Sequence, residues 1–337
     1  MSKRSIWAVW VLAGSLALPF CAFAGQREDA RSAKDRCDYA TELRLFRPLA
    51  DAGDAEAETA IGRLYFYGKG VKQNYAEALR LYRAAADQDS PEADSHIGFM
   101  YQKGLGLPHS DADALIWFKK AAGRGYPKAD LNIGQMYLSG AGVPKDNQEG
   151  LNWTKRAAEQ NLPIAQRVLG SLYASGVGAA EDDKQAATWY QRAAGQDDAP
   201  AEFALASLYE SGYGVPRDYS ETFRLCRAAA EQGLPLALYD LGTMYGNGRG
   251  TAKDGQRAYE WFALAAMHFP ETAVRYRSQA LDARDRAASK ITETQLAEGR
   301  KFVQDWKPRR AAGACDMEEP QKQSAAASET RIGPDAR

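Results

Sequence analysis

Histidine and cysteine are scarce, with three of the first and four of the second in 337 residues. His96, His109 and His268 lie far apart, and no His, Cys or carboxylate cluster has the spacing of metal ligands, so neither a metal site nor a cofactor is expected. No run of five like charges occurs and the formal net charge is −1, which leaves no basic arm or acidic tail and implies no nucleic-acid partner. Gly-x-Ser-x-Gly and Ser-x-x-Lys are both absent, removing the two commonest serine-nucleophile signatures. Only one long uncharged run exists, at the N-terminus, so a multispanning membrane protein is excluded. What is present, 45% hydrophobic and 26% charged residues, suits a chain that buries a sizeable core.

Residues 1–24 read as a secretory signal peptide. Lys3 and Arg4 open it, residues 6–18 are apolar, and Pro19 leads to the small-x-small end Ala22-Phe23-Ala24. Cleavage is expected before Gly25, although the uncharged stretch from residue 5 to residue 24 also has the length of an uncleaved anchor. Phe20 before Cys21 does not suit a lipid-attachment site. Removal of the segment leaves Cys37, Cys226 and Cys315, an odd number from which no disulfide framework follows. The pairing of Cys37 with Cys315 cannot be read from sequence.

Downstream, the chain repeats itself every 36 residues. Gly62, Gly98, Gly134, Gly170, Ala206 and Gly242 form one column, and Tyr65, Tyr101, Tyr137, Tyr173, Tyr209 and Tyr245 a second, three places later. Two turn glycines follow in each unit, from Gly68 and Gly70 to Gly248 and Gly250. Alanine pairs close the units, from Ala85-Ala86 to Ala265-Ala266. Such a register predicts a repeat array.

Each unit reads as two helices. In the first, helix A, the columns headed by Ala57, Ile61, Leu64 and Tyr65 form one stripe at about 100° per residue, the core face. Gly-x-Gly stops it, since glycine tolerates the left-handed conformation at a helix C-terminus. Helix B then starts after Asn74, Asp146, Asp182, Asp218 or Asp254. It carries Leu81, Trp117, Trp153, Trp189, Leu225 and Trp261, beside a mixed column in which Cys226 reads as core. One pair of short helices has too little core to stand alone, so units must stack. The expected fold is all-α, a right-handed α-solenoid of antiparallel helix pairs with a 36-residue period.

The unit at residues 129–146, Ala-x-x-x-Ile-Gly-Gln-Met-Tyr-x-x-Gly-x-Gly-Val-Pro-x-Asp, with Ala157-Ala158-Glu159-Gln160 behind it, resembles the Sel-one-like repeat, a relative of the tetratricopeptide repeat. The resemblance spans about residues 39–290. Ala206 in the glycine column and Gly150 within a helix B depart from the pattern and put local stability in doubt.

The organisation expected is therefore a signal peptide at 1–24, a linker at 25–38, a solenoid at 39–290, a C-terminal helix at 291–308 and a disordered tail at 309–337. Residues 41–51 reproduce a lone helix B that covers the first unit, and the pattern decays into a polar cap after Ala266. A capping box, Thr292 with Gln295, and a staple, Ile291 with Leu296, signal the last helix. Beyond Pro308 apolar residues are few.

With no catalytic pattern left, the surface carries the functional reading. Three columns on helix A, three places before the glycine and one and four places after it, lie opposite the core stripe, and resemblance to tetratricopeptide arrays makes them the concave face. Unlike the packing columns, they vary from unit to unit. The candidate partner-binding residues are Arg63, Phe66, Phe99, Gln102, Leu131, Gln135, Leu138, Arg167, Phe203 and Tyr239, in which the apolar members form a broken exposed ridge. The expected function is a non-enzymatic scaffold or regulator of the cell envelope that holds a partner protein or peptide in this groove. The rival implied by resemblance is a secreted enzyme or binder acting on peptidoglycan or β-lactams. The family pattern together with the leader implies a periplasmic location, with no membrane span after cleavage.

Overall fold

The computed structural model describes residues 17–309 and residue 315, with side-chain surroundings from residue 25 onward. The expected leader at 1–24 therefore lies largely outside the described residues, as does the expected tail beyond Arg309 apart from Cys315. Among the described residues there are sixteen helices and no strand. None is long and apolar enough to cross a membrane.

The chain forms two compact units. The first contains α1 (Ala17–Asp35), α2 (Tyr39–Asp51), α3 (Ala55–Tyr67) and α4 (Tyr75–Ala86). Where the sequence suggests a linker at 25–38, the structure has α1, packed on α2 through Ala30 and tied by ion pairs from Arg27 to Asp54 and from Arg31 to Glu56. Small buried residues and ion pairs, in place of an apolar stripe, dock this helix. Phe46, Leu49, Ile61 and Leu81 fill the core around it. Cys37, in the left-handed region at φ 59°, ends the helix and forms a disulfide with Cys315.

The second unit contains α5 (Pro91–Lys103), α6 (Asp111–Gly123), α7 (Pro127–Ser139), α8 (Asn147–Glu159), α9 (Pro163–Ala174), α10 (Asp183–Ala194), α11 (Ala199–Ser211), α12 (Tyr219–Glu231), α13 (Pro235–Asn247), α14 (Gly255–His268), α15 (Val274–Ala288) and α16 (Glu293–Asp305). Each helix from α5 to α15 packs on the next, and α16 returns to α14. Within this unit the fold is the solenoid of antiparallel helix pairs that the period implies, closed by α15 and α16. The capping box of Thr292 and Gln295 forms as expected.

Local chemistry sets each unit. The side chains of Asp146, Asp182, Asp218 and Asp254 accept bonds from free amides in the first turn of helix B. Their own backbone amides reach back 2.9–3.0 Å to the carbonyls of Tyr137, Tyr173, Tyr209 and Tyr245, pinning the turn to helix A. The first turn glycine is left-handed, as at Gly140 (φ 78°). The second turn glycine is needed for a further reason: at Gly214 (φ 68°) a Cβ would fall on the carbonyl of Asp183 in the preceding unit.

Side chains compensate one another across each pair. A Cβ on Gly98, Gly170 or Gly242 would lie 2.8 Å from a ring carbon of Phe118, Tyr190 or Phe262 on the helix B of the same unit. Opposite Ala206 stands the small Cys226, buried and 3.4 Å from the Ala237 carbonyl. Gly150 makes room for Leu138, whose Cγ would lie 2.5 Å from an added Cβ. Both departures from the repeat pattern are thus local fits between neighbours.

Candidate interaction surface

Helix A is more enclosed than its own periodicity suggests. On α7, α9 and α11, the position one place after the glycine column faces solvent, at Gln135, Ser171 and Ser207. A second exposed row runs near the N-terminal ends, at Lys128, Ile164, Pro200 and Leu236, of which Ile164 is 46% exposed and Leu236 42%. Most other helix A positions are buried or half-buried.

The expected apolar ridge needs correction at two places. Phe66 is fully buried, with its ring edge-on to Tyr67 at 4.9 Å and to Tyr75 at 5.4 Å. Leu131 is also buried, in a cluster with Leu151, Leu169 and Trp189. The physical reason is that the column four places after the glycine packs on the start of helix B, while the column three places before it meets adjacent helices. Leu138 is half-buried in that same cluster. Phe99 is half-buried, with Lys103 Nζ 5.4 Å from its ring centre, and Gln102 is half-buried on the same helix. Phe203 and Tyr239 both pack against the core around Leu205 and Leu241, and Tyr239 lies 5.3 Å from the Phe262 ring.

The two arginines also have structural partners. Arg63 pairs with Glu42, whose side chain has no exposed surface; burial pushes that carboxyl up and Arg63 opposes the shift. Arg167 lies 2.9 Å from Asp198. Neither is a loose cation awaiting a ligand. Of the ten candidates, Gln135 alone is exposed, and Arg63, Phe99, Gln102, Leu138, Arg167, Phe203 and Tyr239 are half-buried.

A second pattern at the same spacing escaped the sequence reading. Four places before the glycine column the residues are Asp94, Asp130, Gln166, Glu202 and Leu238, all buried. Thirty residues on, at the end of helix B, stand Arg124, Gln160, Gln196, Gln232 and His268. Asp94 takes Arg124 at 2.6 Å and Lys120 at 2.8 Å; Asp130 takes Gln160 at 2.7 Å and Arg156 at 3.1 Å. Gln166 accepts from Gln196 at 2.8 Å, and Glu202 accepts from Gln232 at 2.9 Å. Each contact of this ladder ties helix A to the end of helix B within its own pair, through a polar group that is itself buried. The signal was visible as a column of acids and amides, but charged residues on a helix are ordinarily read as solvated.

A column of cations on helix B, four places before the ladder's last residues, lies over tryptophans. Lys120, Arg156 and Arg192 stand 4.9, 5.0 and 4.4 Å from the rings of Trp117, Trp153 and Trp189. The column then reads Ala228. No cation stands at this column for Glu202, and burial pushes its carboxyl up to about 7, with Asp197 adding to the rise and Arg309, the Gln232 amide and Arg224 opposing it. Asp240 is raised to about 6 by burial and by the neighbouring Glu210. The Cys226 thiol is pushed well up by burial, so this residue is an inert packing element.

The histidines serve locally. His268 holds the Leu264 carbonyl at 2.8 Å through Nδ1, His96 is 3.8 Å from Glu92, and His109 is 3.5 Å from Asp111. Among the described residues no group of three His, Cys, Asp or Glu could hold a metal ion.

Comparison with known proteins adds the relatives. The Sel1 repeat family model matches six times, at residues 55–90, 91–126, 127–162, 163–198, 199–234 and 235–268. The chain is similar to a Sel1 repeat protein from Oxalobacter formigenes, with 31% identity over 72% of this chain and 99% of that one, and a TM-score of 0.65. A protective antigen of uropathogenic Escherichia coli shares 21% identity over 86% and 84% of the two chains, with a TM-score of 0.40. An immunity protein from Pseudomonas aeruginosa shares 20% over 69% and 81%, with a TM-score of 0.42. No curated protein sequence matches.

Proposed function

Because this chain belongs to the Sel1 repeat family, whose members commonly mediate contacts between proteins, we propose that it is a non-enzymatic scaffold that binds a partner protein or peptide along helix A of its second unit. One observation carries the reading: Gln135, Ser171 and Ser207 are exposed in the helix A column where Phe99 is half-buried, and the half-buried Phe203 and Tyr239 stand four places before that column on α11 and α13. An extended or helical peptide on such a row would place apolar side chains against the rings and hydrogen-bond the polar residues for register. The row differs in chemistry from unit to unit, so it can encode one partner sequence.

The compartment proposed is the bacterial envelope, and the periplasm within it. Its support is the leader-like N-terminus and the Cys37–Cys315 disulfide, a bond that persists in oxidising surroundings.

The test is to replace Gln135, Ser171 and Ser207 together by arginine. All three are exposed, so helical circular dichroism should hold while recovery of the partner by crosslinked pull-down from envelope extracts falls by about tenfold or more. Unchanged recovery would reject this face as the interface.

A further inference from the structure

After α16 the chain turns back along one edge of the second unit. Trp306 leaves the helix at φ −65° and ψ 137°, the polyproline II region, and Pro308 favours the same extended course with no amide to satisfy. The Trp306 ring lies edge-on to Trp261 at 6.3 Å and to His268 at 5.1 Å, at the end of α14. Pro308 covers the turn after α12, where a Cβ on Gly233 would stand 3.2 Å from it and 3.8 Å from Trp306. The backbone amide of Arg309 donates to the Glu231 carbonyl at 2.6 Å, and its guanidinium stands 3.3 Å from Asp197 in the turn after α10. Residues 306–309 thus touch three consecutive ends of helix B.

Those ends share one construction. A left-handed residue closes each turn, at Gly125 (φ 77°), Asn161 (φ 63°), Asp197 (φ 60°) and Gly233 (φ 88°). A helix C-terminus presents carbonyls with no partner inside the helix and the negative end of its dipole, so an extended chain that brings an amide and a cation is complementary to it. Arg309 meets Asp197 directly, and its charge also acts on the buried Glu202. The strap reads as a recognition pattern: a ring for the aromatic wall, a proline that keeps the chain extended, and an arginine for the carboxylate. Proline-bearing segments of this kind dock on aromatic surfaces with little conformational entropy to lose.

The hold of the strap is slight. Lys307, Pro308 and Arg309 are exposed, and the ion pair of Arg309 with Asp197 has side chains 50% and 57% exposed, so it contributes little. A segment held this weakly keeps its place through its tether to α16, which raises its local concentration. We propose that the edge formed by the ends of α10, α12 and α14 is a peptide-binding site with residues 306–309 as its resident occupant. A partner protein displaces them by presenting an extended segment with an aromatic residue two places before a proline and an arginine directly after it. None of the residues that hold the strap belongs to the row of Gln135, Ser171 and Ser207, so either site can fail without the other.

The test uses a fluorescent peptide of residues 303–309 with blocked ends, and the full chain carrying Trp306→Ala with Arg309→Ala, which empties the edge. By anisotropy titration the peptide should bind this variant about tenfold more tightly than wild type, whose own strap competes. Adding Asp197→Asn to the variant, or replacing the peptide's arginine by glutamate, should weaken binding about threefold or more. Equal affinity for wild type and variant would overturn the proposal, as would binding indifferent to the peptide's tryptophan and arginine. Exchange of straps between copies, seen by light scattering as a dimer of wild type, would overturn the partner as occupant. Should the variant lose its helical circular dichroism, Pro308→Gly with Arg309→Glu, both at exposed positions, takes its place with the same expectation.

Discussion

Glu202 shows how one residue's surroundings become a property of the protein. It is buried, it accepts from Gln232, and it ionises with a pKa of about 7 where an unfolded glutamate ionises near 4.5. A carboxyl raised on folding favours the protonated native state, so its contribution to stability is complete below about pH 4.5 and is lost as the pH climbs through 7. The layer before it already holds Gln166 on Gln196, a neutral pair of the same geometry. Glu202→Gln is therefore expected to fit. Its stability relative to wild type, from denaturant titration, should rise by about 1–3 kcal/mol between pH 5 and pH 8. A constant difference across that range would show that Glu202 does not carry the shift. Arg63 teaches a related lesson: read as a groove cation, it proves to neutralise the buried Glu42.

Between elements, helix A and helix B of several units fit closely where a glycine meets a ring, or Ala206 meets Cys226. The pairing predicts a double-mutant cycle. Cys226→Phe should place a ring against the Ala206 methyl and cost about 1–3 kcal/mol by overpacking. Ala206→Gly alone should cost about 1 kcal/mol in helix propensity. Together they recreate the arrangement of Gly98 with Phe118, and the double variant should recover at least half of the loss; additive losses would refute the fit. The helices and their caps were legible beforehand because they depend on residues close in sequence, such as Asp146 beneath the first turn of α8. Helix α1 was not. It docks by Ala30 and by Arg27 and Arg31, a pattern with no apolar stripe to read.

For the molecule as a whole, the consequence of the repeat is locality. In a one-dimensional array each pair leans on its neighbours alone, so a fault need not spread. Gly98→Ala would set a methyl 2.8 Å from the Phe118 ring, and hydrogen exchange should quicken across α5 and α6 while α13 and α14 keep their protection. Loss of protection throughout would mean that the second unit unfolds as one cooperative body.

The amino-acid order alone determined the all-helical array, its 36-residue pitch, the turn glycines and aspartate caps, and the position of the last helix, because each rests on periodicity or on contacts a few residues apart. The tertiary structure decided which outward-facing columns stay in water. It buried Phe66 and Leu131, enclosed Asp94, Asp130 and Glu202 in a polar ladder, and brought Cys315 to Cys37 across a separation of 278 residues. A helix's own period shows which residues share a side; it does not tell which neighbour will come to cover that side.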